Sequence, residues 1–208
     1  MLSQFFQNPI YFFASAVAII LAISLHEASH ALAGYLLGDR TAKDAGRLTL
    51  NPLAHLDLVG TLLLFVAGFG WGKPVPFNPY NLKNQKWGPA MIAMAGPFSN
   101  FLIAILTGFL LKAVLSFTTL AHTNGLIVLL AYLIQINIAL LAFNILPVPP
   151  LDGSKLLFAL LPARFDYIKE FLSRYGTWVL IAIIIFGSPI FYALFNVFNL
   201  AVNRIVGI

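Results

Sequence analysis

Residues 26–30 read His-Glu-Ala-Ser-His. On a helix, two imidazoles four residues apart lie about 400° around the axis, so both project from one face one turn apart. That is the spacing a single tetrahedral Zn²⁺ requires. Glu27 is offset by about 100°, close enough to take a proton from water at such a metal without filling a coordination position. The chemistry described is metal-assisted hydrolysis with Glu27 as general base. The competing reading makes all three buried polar groups that hydrogen-bond between helices. It suits this segment poorly, because each ionisable group in so apolar a stretch would need its own partner.

A catalytic zinc needs a third protein ligand and leaves one position for water. The chain has no cysteine, so the ligand must be His, Asp or Glu. Asp39, Asp44 and Asp57 sit in a polar loop, and Asp166 and Glu170 among basic residues, a pattern that reads as solvated charge. Asp152 differs. It follows Pro147, Pro149 and Pro150 between apolar stretches, and those prolines would bend the chain back toward a neighbouring helix. Its alternative role is to cap a helix starting near Gly153. His55 in "NPLAHLD" and His122 in "LAHTNG" are further candidate ligands, the second on the opposite side of the chain's layout. Asn137 and Asn144 share one helix face, with Gln135 nearby; Gln135 and Asn137 read as interhelical glue. Asn100 and Asn144 divide between packing and holding substrate backbone, where an amide N–H aimed at a developing oxyanion lowers the barrier.

These groups must be positioned by membrane helices. Of the 208 residues, 60% are apolar and 9% charged, with a mean hydropathy of +0.90, which excludes an ordinary soluble domain. Several apolar runs reach the roughly 20 residues that cross about 30 Å of hydrocarbon. Twelve Lys/Arg against seven Asp/Glu give a net charge of +5. The basic residues fall in loops between apolar runs, so they read as topology signals and not as a nucleic-acid surface.

The hydrophobic pattern predicts crossings at Tyr11–Leu37, Trp87–Leu120, Leu126–Leu146 and a C-terminal helix over residues 176–203, with a kink at Pro189. Between the first two, "RLTL" followed by Asn-Pro predicts a short interfacial β element. Leu58–Gly72 is too short and too glycine-rich to cross, and reads as re-entrant. Arg40, Lys43, Arg47, Lys73, Lys83, Lys86, Lys155, Arg164, Lys169 and Arg174 then share one side, leaving Lys112 and Arg204 on the other. By the positive-inside bias the first group is cytoplasmic, with the site near it and both termini outside. The fold class is therefore an all-α polytopic membrane protein, with about four transmembrane helices plus a re-entrant segment. It forms a single domain over residues 1–208.

Three signatures together, "HEASH" in the first span, "MAGPFSN" in the second and "NILPVPPLDG" closing the third, resemble those of the site-two protease family of intramembrane zinc metalloproteases. The likeness runs from about Ser24 to Leu157, including "GRLTLNPLAHLD" and "GWGKPVPFNPYNL", and is similar to compact prokaryotic members without a PDZ or CBS domain. The resemblance implies His26, His30 and Asp152 as zinc ligands, Glu27 as catalytic base, and Asn100 and Asn144 as substrate-binding residues. It implies hydrolysis of peptide bonds in transmembrane or membrane-proximal segments of other proteins. Two rivals stand beside it: an inactive homologue that binds membrane proteins, and an ion or metal transporter. Composition selects neither a particular substrate nor an oligomeric state.

Overall fold

The computed structural model describes residues 7–67 and 70–207. Its elements are α1 (Pro9–Leu36), a short turn α2 (Thr41–Asp44), α3 (Leu58–Ala67), α4 (Gly88–Phe117), α5 (Gly125–Asn144), α6 (Gly153–Leu160), α7 (Asp166–Phe186) and α8 (Ser188–Val206). Four of them, α1, α4, α5 and α8, are long and apolar enough to cross a membrane. Backbone groups in hydrocarbon must bond within their own segment, and these helices do so apart from Pro97 in α4, which has no N–H to donate.

The bundle core is α1, α4 and α5. On α1 the residues Ala14, Ala18, Ala22, His26, His30 and Gly34 fall on one row at intervals of four, and all are buried. Small side chains on that row let neighbouring backbones approach closely, and the two histidines continue the same inward stripe. On α4, Ala93, Gly96, Asn100, Ala104 and Gly108 form the facing surface. Val202 and Val206 of α8 close the opposite end against Ala104, Ile134 and Ile138. A Cβ on Gly108 would lie 2.8 Å from Val206 Cγ2, so glycine is needed there.

The helices alternate in direction. Gly125 lies beside Ile10, and Lys112 Nζ donates to the Val206 carbonyl at 2.8 Å. The start of α1, the end of α4, the start of α5 and the end of α8 therefore meet at one end, here the far end. The near end joins His30 to Ile92 and Phe143 to Phe191. The start of α1 and the end of α8 both lie at the far end.

The first three spans lie close to the expected ones, but the fourth does not. In place of one kinked helix over residues 176–203, the chain makes α7 and α8 with a break at Gly187. Pro189 has no N–H, and its ring would clash with the carbonyl four residues earlier. The first helix accordingly ends with Gly187 N–H donating to the Ile183 carbonyl, and proline enters the first turn of the next. Leu180 of α7 packs on Leu146, Val148 and Leu151 at the near end.

The expected β element finds no strand among the described residues. Residues 47–50 form a loop, entered with Arg47 N–H donating to the Ala42 carbonyl at 2.8 Å. The Arg47 guanidinium donates to the carbonyls of Lys73 and Pro74, and the His55 ring bonds the Thr49 carbonyl. An isolated antiparallel bridge joins Leu56 to Gly72, and Lys73 N–H donates to the His55 carbonyl at 2.8 Å. Leu56 and Gly72 are thus neighbours, and the ten residues of α3 between them reach only about 15 Å.

Asp39 also departs from expectation. It is 1% exposed, and its carboxylate accepts from Thr41 N–H, Thr41 Oγ1, Asn78 N–H and Asn81 Nδ2 at 2.6–3.1 Å. Burial raises this carboxyl's pKa, but the four donors outweigh burial and hold it below 3.8. A depressed carboxylate stabilises the fold above its unfolded pKa, and that contribution is lost as pH falls through the lower folded value. Asp39→Asn puts an N–H₂ against these donors. In thermal unfolding in detergent it should cost about 2 kcal/mol at neutral pH, and the deficit should shrink below about pH 4.

Candidate metal centre

His26 and His30 project from the buried row of α1, and Asp152 comes from the turn before α6. Nε2 of His26 and Nε2 of His30 are 3.0 Å apart, and Asp152 Oδ2 lies 3.2 and 3.3 Å from them. These three residues form the metal-capable group found among the described residues. His55 and His122 stand outside it. Asp152 occupies the cap position of α6 but makes no side-chain capping bond, so its alternative role is not the one it plays.

The hydrogen bonds of the rings define their tautomers. His30 Nδ1 lies 2.7 Å from the Ile92 carbonyl, an acceptor only, so the ring proton is on Nδ1. His26 Nδ1 lies 2.6 Å from Asn100 Oδ1 and donates to it. Both Nε2 atoms then turn lone pairs toward one point, where Asp152 Oδ2 is buried without a hydrogen bond. Two lone pairs and a carboxylate oxygen share so small a volume only around a positive charge. Nitrogen, nitrogen and oxygen donors of this number suit Zn²⁺ with one position open.

The cradle depends on two glycines. A Cβ on Gly96 would lie 2.5 Å from His26 Cε1 and 2.5 Å from His30 Nε2, so α4 can pass the imidazoles only without a side chain there. Gly153 packs directly on the Ile145 and Leu146 carbonyls, which lets the turn fold tightly enough to bring Asp152 back. Prolines alone do not achieve this.

Glu27 lies off the metal group and half buried. Its Oε2 accepts from Val75 N–H at 3.2 Å, and Oε1 has no hydrogen-bond partner among the described residues. The carboxylate thus sits between α1 and the segment 72–75, which Arg47 fastens through the Lys73 and Pro74 carbonyls. Arg47 was legible in the sequence only as a topology charge.

The two other expected site residues lie apart. Asn100 is fully buried with both amide atoms engaged: Oδ1 faces His26 Nδ1, and Nδ2 donates to Asn137 Oδ1 at 2.7 Å. It therefore stands behind His26, joined to it by a hydrogen bond. Asn144, at the half-buried end of α5, donates one N–H to the Leu140 carbonyl at 3.0 Å, and its amide has a second N–H to offer. Asn137 bonds across helices, as expected of interhelical glue, but its partner is the residue behind His26. The signal available was the cost of placing an amide in mid-span, which demands a partner.

A polytopic helical bundle that turns an H-E-x-x-H helix and a distant aspartate onto one point defines a membrane metallopeptidase. The chain belongs to peptidase family M50, the site-two protease family, whose family model matches residues 14–187. It is 36% identical over 185 residues to YwhC of Bacillus subtilis, covering 86% of this chain and 84% of that protein. It is 31% identical over 144 residues to Rip2 of Mycolicibacterium smegmatis, covering 64% of this chain and 52% of the relative. Both bear the printed title "putative zinc metalloprotease". A protein of Methanocaldococcus jannaschii titled "Zinc metalloprotease MJ0392" is 25% identical over 182 residues, covering 86% of this chain and 44% of that one. The chain thus spans about half the length of the latter two. No solved structure matches.

Zinc is the cofactor of this family. Gly96→Ala should therefore displace both imidazoles and strip zinc from the purified protein while leaving helical content intact. Elemental analysis beside circular dichroism checks this; full zinc occupancy in the variant would contradict the close approach of α4.

Proposed function

We propose that this protein hydrolyses peptide bonds in transmembrane or membrane-proximal segments of other membrane proteins, with His26, His30 and Asp152 holding zinc and Glu27 acting as general base. The observation that carries the reading is the convergence of three acceptor atoms from two distant parts of the chain, with a free carboxylate oxygen on the same helix.

When bound, zinc supplies Lewis acidity, polarising the scissile carbonyl and acidifying water. The remaining steps belong to the chain. Glu27 Oε1 takes the proton from the attacking water and then gives it to the leaving amine, while Val75 N–H keeps Oε2 engaged and the carboxylate oriented. Asn144 offers its second N–H to substrate backbone at the mouth of the site. The short α3, with its neighbours Leu56 and Gly72 bridged, supports a re-entrant reading of this stretch beside α1; irregular backbone at membrane depth is tolerated against protein.

The transporter reading expects ionisable groups strung through the bundle. The buried ones, His26, His30, Asp39, Arg47 and His55, gather toward the near end instead. Ten basic residues toward that end support a cytoplasmic location for it by the positive-inside bias. Cysteine labelling in intact cells should then report residue 83 inside and residue 122 outside; the same side for both would overturn the topology.

Glu27→Gln separates enzyme from binder. It preserves size and leaves the three ligands untouched but cannot accept a proton at neutral pH. Zinc content should stay at one per chain, and cleavage of co-expressed membrane substrates should fall by about 10² to 10⁴. Wild-type cleavage by a zinc-loaded Glu27→Gln protein would return Glu27 to a structural role.

A further inference from the structure

His26 and His30 reach the same chemical state by different routes. The proton on His30 Nδ1 is held directly by a backbone carbonyl, that of Ile92. The His26 proton is held by the side chain of Asn100, and a carboxamide can be turned over. Reversed, Asn100 would offer an N–H to His26 Nδ1, force the ring proton onto Nε2, and aim that proton at the point where the metal belongs. Something must set the direction of Asn100.

The chain of bonds answers this one amide further on. Asn100 Nδ2 donates to Asn137 Oδ1 at 2.7 Å, and Asn137 Nδ2 donates to the Leu133 carbonyl at 2.7 Å. The Leu133 carbonyl belongs to the backbone of α5 and can only accept. It therefore requires the N–H₂ of Asn137 on its side, which turns Asn137 Oδ1 toward α4. Asn100 must answer with its own N–H₂, leaving Oδ1 for His26, and the imidazole must answer with a proton on Nδ1. Both amides are 0% exposed, so no water is at hand to satisfy a reversed arrangement, and an unmade bond in such a place carries the full desolvation cost.

We propose that Asn137 is a positioning residue of the metal centre: through Asn100 it transmits the polarity of the α5 backbone across three helices and locks His26 in the tautomer whose Nε2 lone pair faces His30 and Asp152. The inference rests on the zinc-site reading above. Hydrogen-bond partners behind a metal-bound histidine fix its tautomer and orientation and commonly account for 10- to 100-fold in metal affinity.

Zinc affinity of the full chain in detergent, measured by competition with a chromogenic chelator, tests it. Asn137→Leu should weaken zinc binding by about 10- to 100-fold. Asn137→Asp should bind nearly as the wild type, because an aspartic acid kept neutral by burial still donates to Leu133 and accepts from Asn100. Adding Asn100→Asp to Asn137→Leu should restore affinity, since an aspartate directly behind His26 is held ionised by the zinc cation bound through that ring and can then only accept from His26 whatever lies behind it. A role for Asn137 in packing alone would not be rescued by placing a charge in the core. Wild-type affinity in Asn137→Leu, or no recovery in the double variant, overturns the relay while leaving the zinc site standing. A wild-type protein that binds no zinc overturns both. Should Asn137→Leu fail to fold, ¹⁵N spectra of the zinc-loaded wild type decide alone: the His26 proton must be on Nδ1, and a proton on Nε2 refutes the proposal.

Discussion

Three acceptor atoms held 3.0–3.3 Å apart in a dry interior are the constraint on which the rest of this structure depends. In water such a group would be screened; between membrane helices a cation at its centre would offset the cost of burying it. The surroundings are arranged accordingly. Each imidazole has its outer nitrogen engaged by an acceptor, so that the inner one is left bare, and the aspartate is delivered at a turn without being used up as a helix cap. The metal centre is thus prepared by the hydrogen bonds facing away from it.

Close approach is the second requirement, and it is met by what the helices lack. The row from Ala14 to Gly34 on α1 and the glycines of α4 bury little apolar area, which would be a weak basis for a soluble core. In lipid the hydrophobic effect does not distinguish helix–helix from helix–lipid contact, and association follows from tight packing and interhelical hydrogen bonds. Small residues therefore serve stability and site together. Gly96 shows the link most directly, since the methyl group that would weaken packing there would also enter the space of the imidazoles.

The parts of this arrangement legible in the sequence were those written in local periodicity. The histidine spacing placed both rings on one face, and long apolar runs gave the first three spans nearly to their ends. The fourth was misread because hydropathy does not register Gly187-Pro189 as a stop; the missing N–H of proline decided it. The β element was misread for the opposite reason. "RLTL" alternates as an edge strand does, but Arg47 and His55 satisfy backbone carbonyls with side chains, and a pattern of polarity cannot reveal that exchange. Asp39 looked like a solvated loop charge, since nothing local shows that Asn78 and Asn81 come back to it. Asp152 was singled out by its apolar setting, whereas its distance to the histidines depends on Gly153, whose role is visible only in three dimensions.

Depth along α1 sets a limit on what the proposed enzyme can reach. The helix runs 28 residues to Leu36, about 42 Å at 1.5 Å per residue. His30 and His26 lie six and ten residues from that end, or about 9 and 15 Å. The centre therefore lies in the half of α1 nearer Leu36. A substrate helix keeps its carbonyls hydrogen-bonded along its whole length, and unwinding it in mid-membrane would strand those groups without partners. Unwinding its last turns strands few, because water at a membrane boundary takes them up. For the proposed enzyme, the place of the histidines along α1 and the cost of unpaired backbone thus both favour bonds toward the near end of a substrate segment.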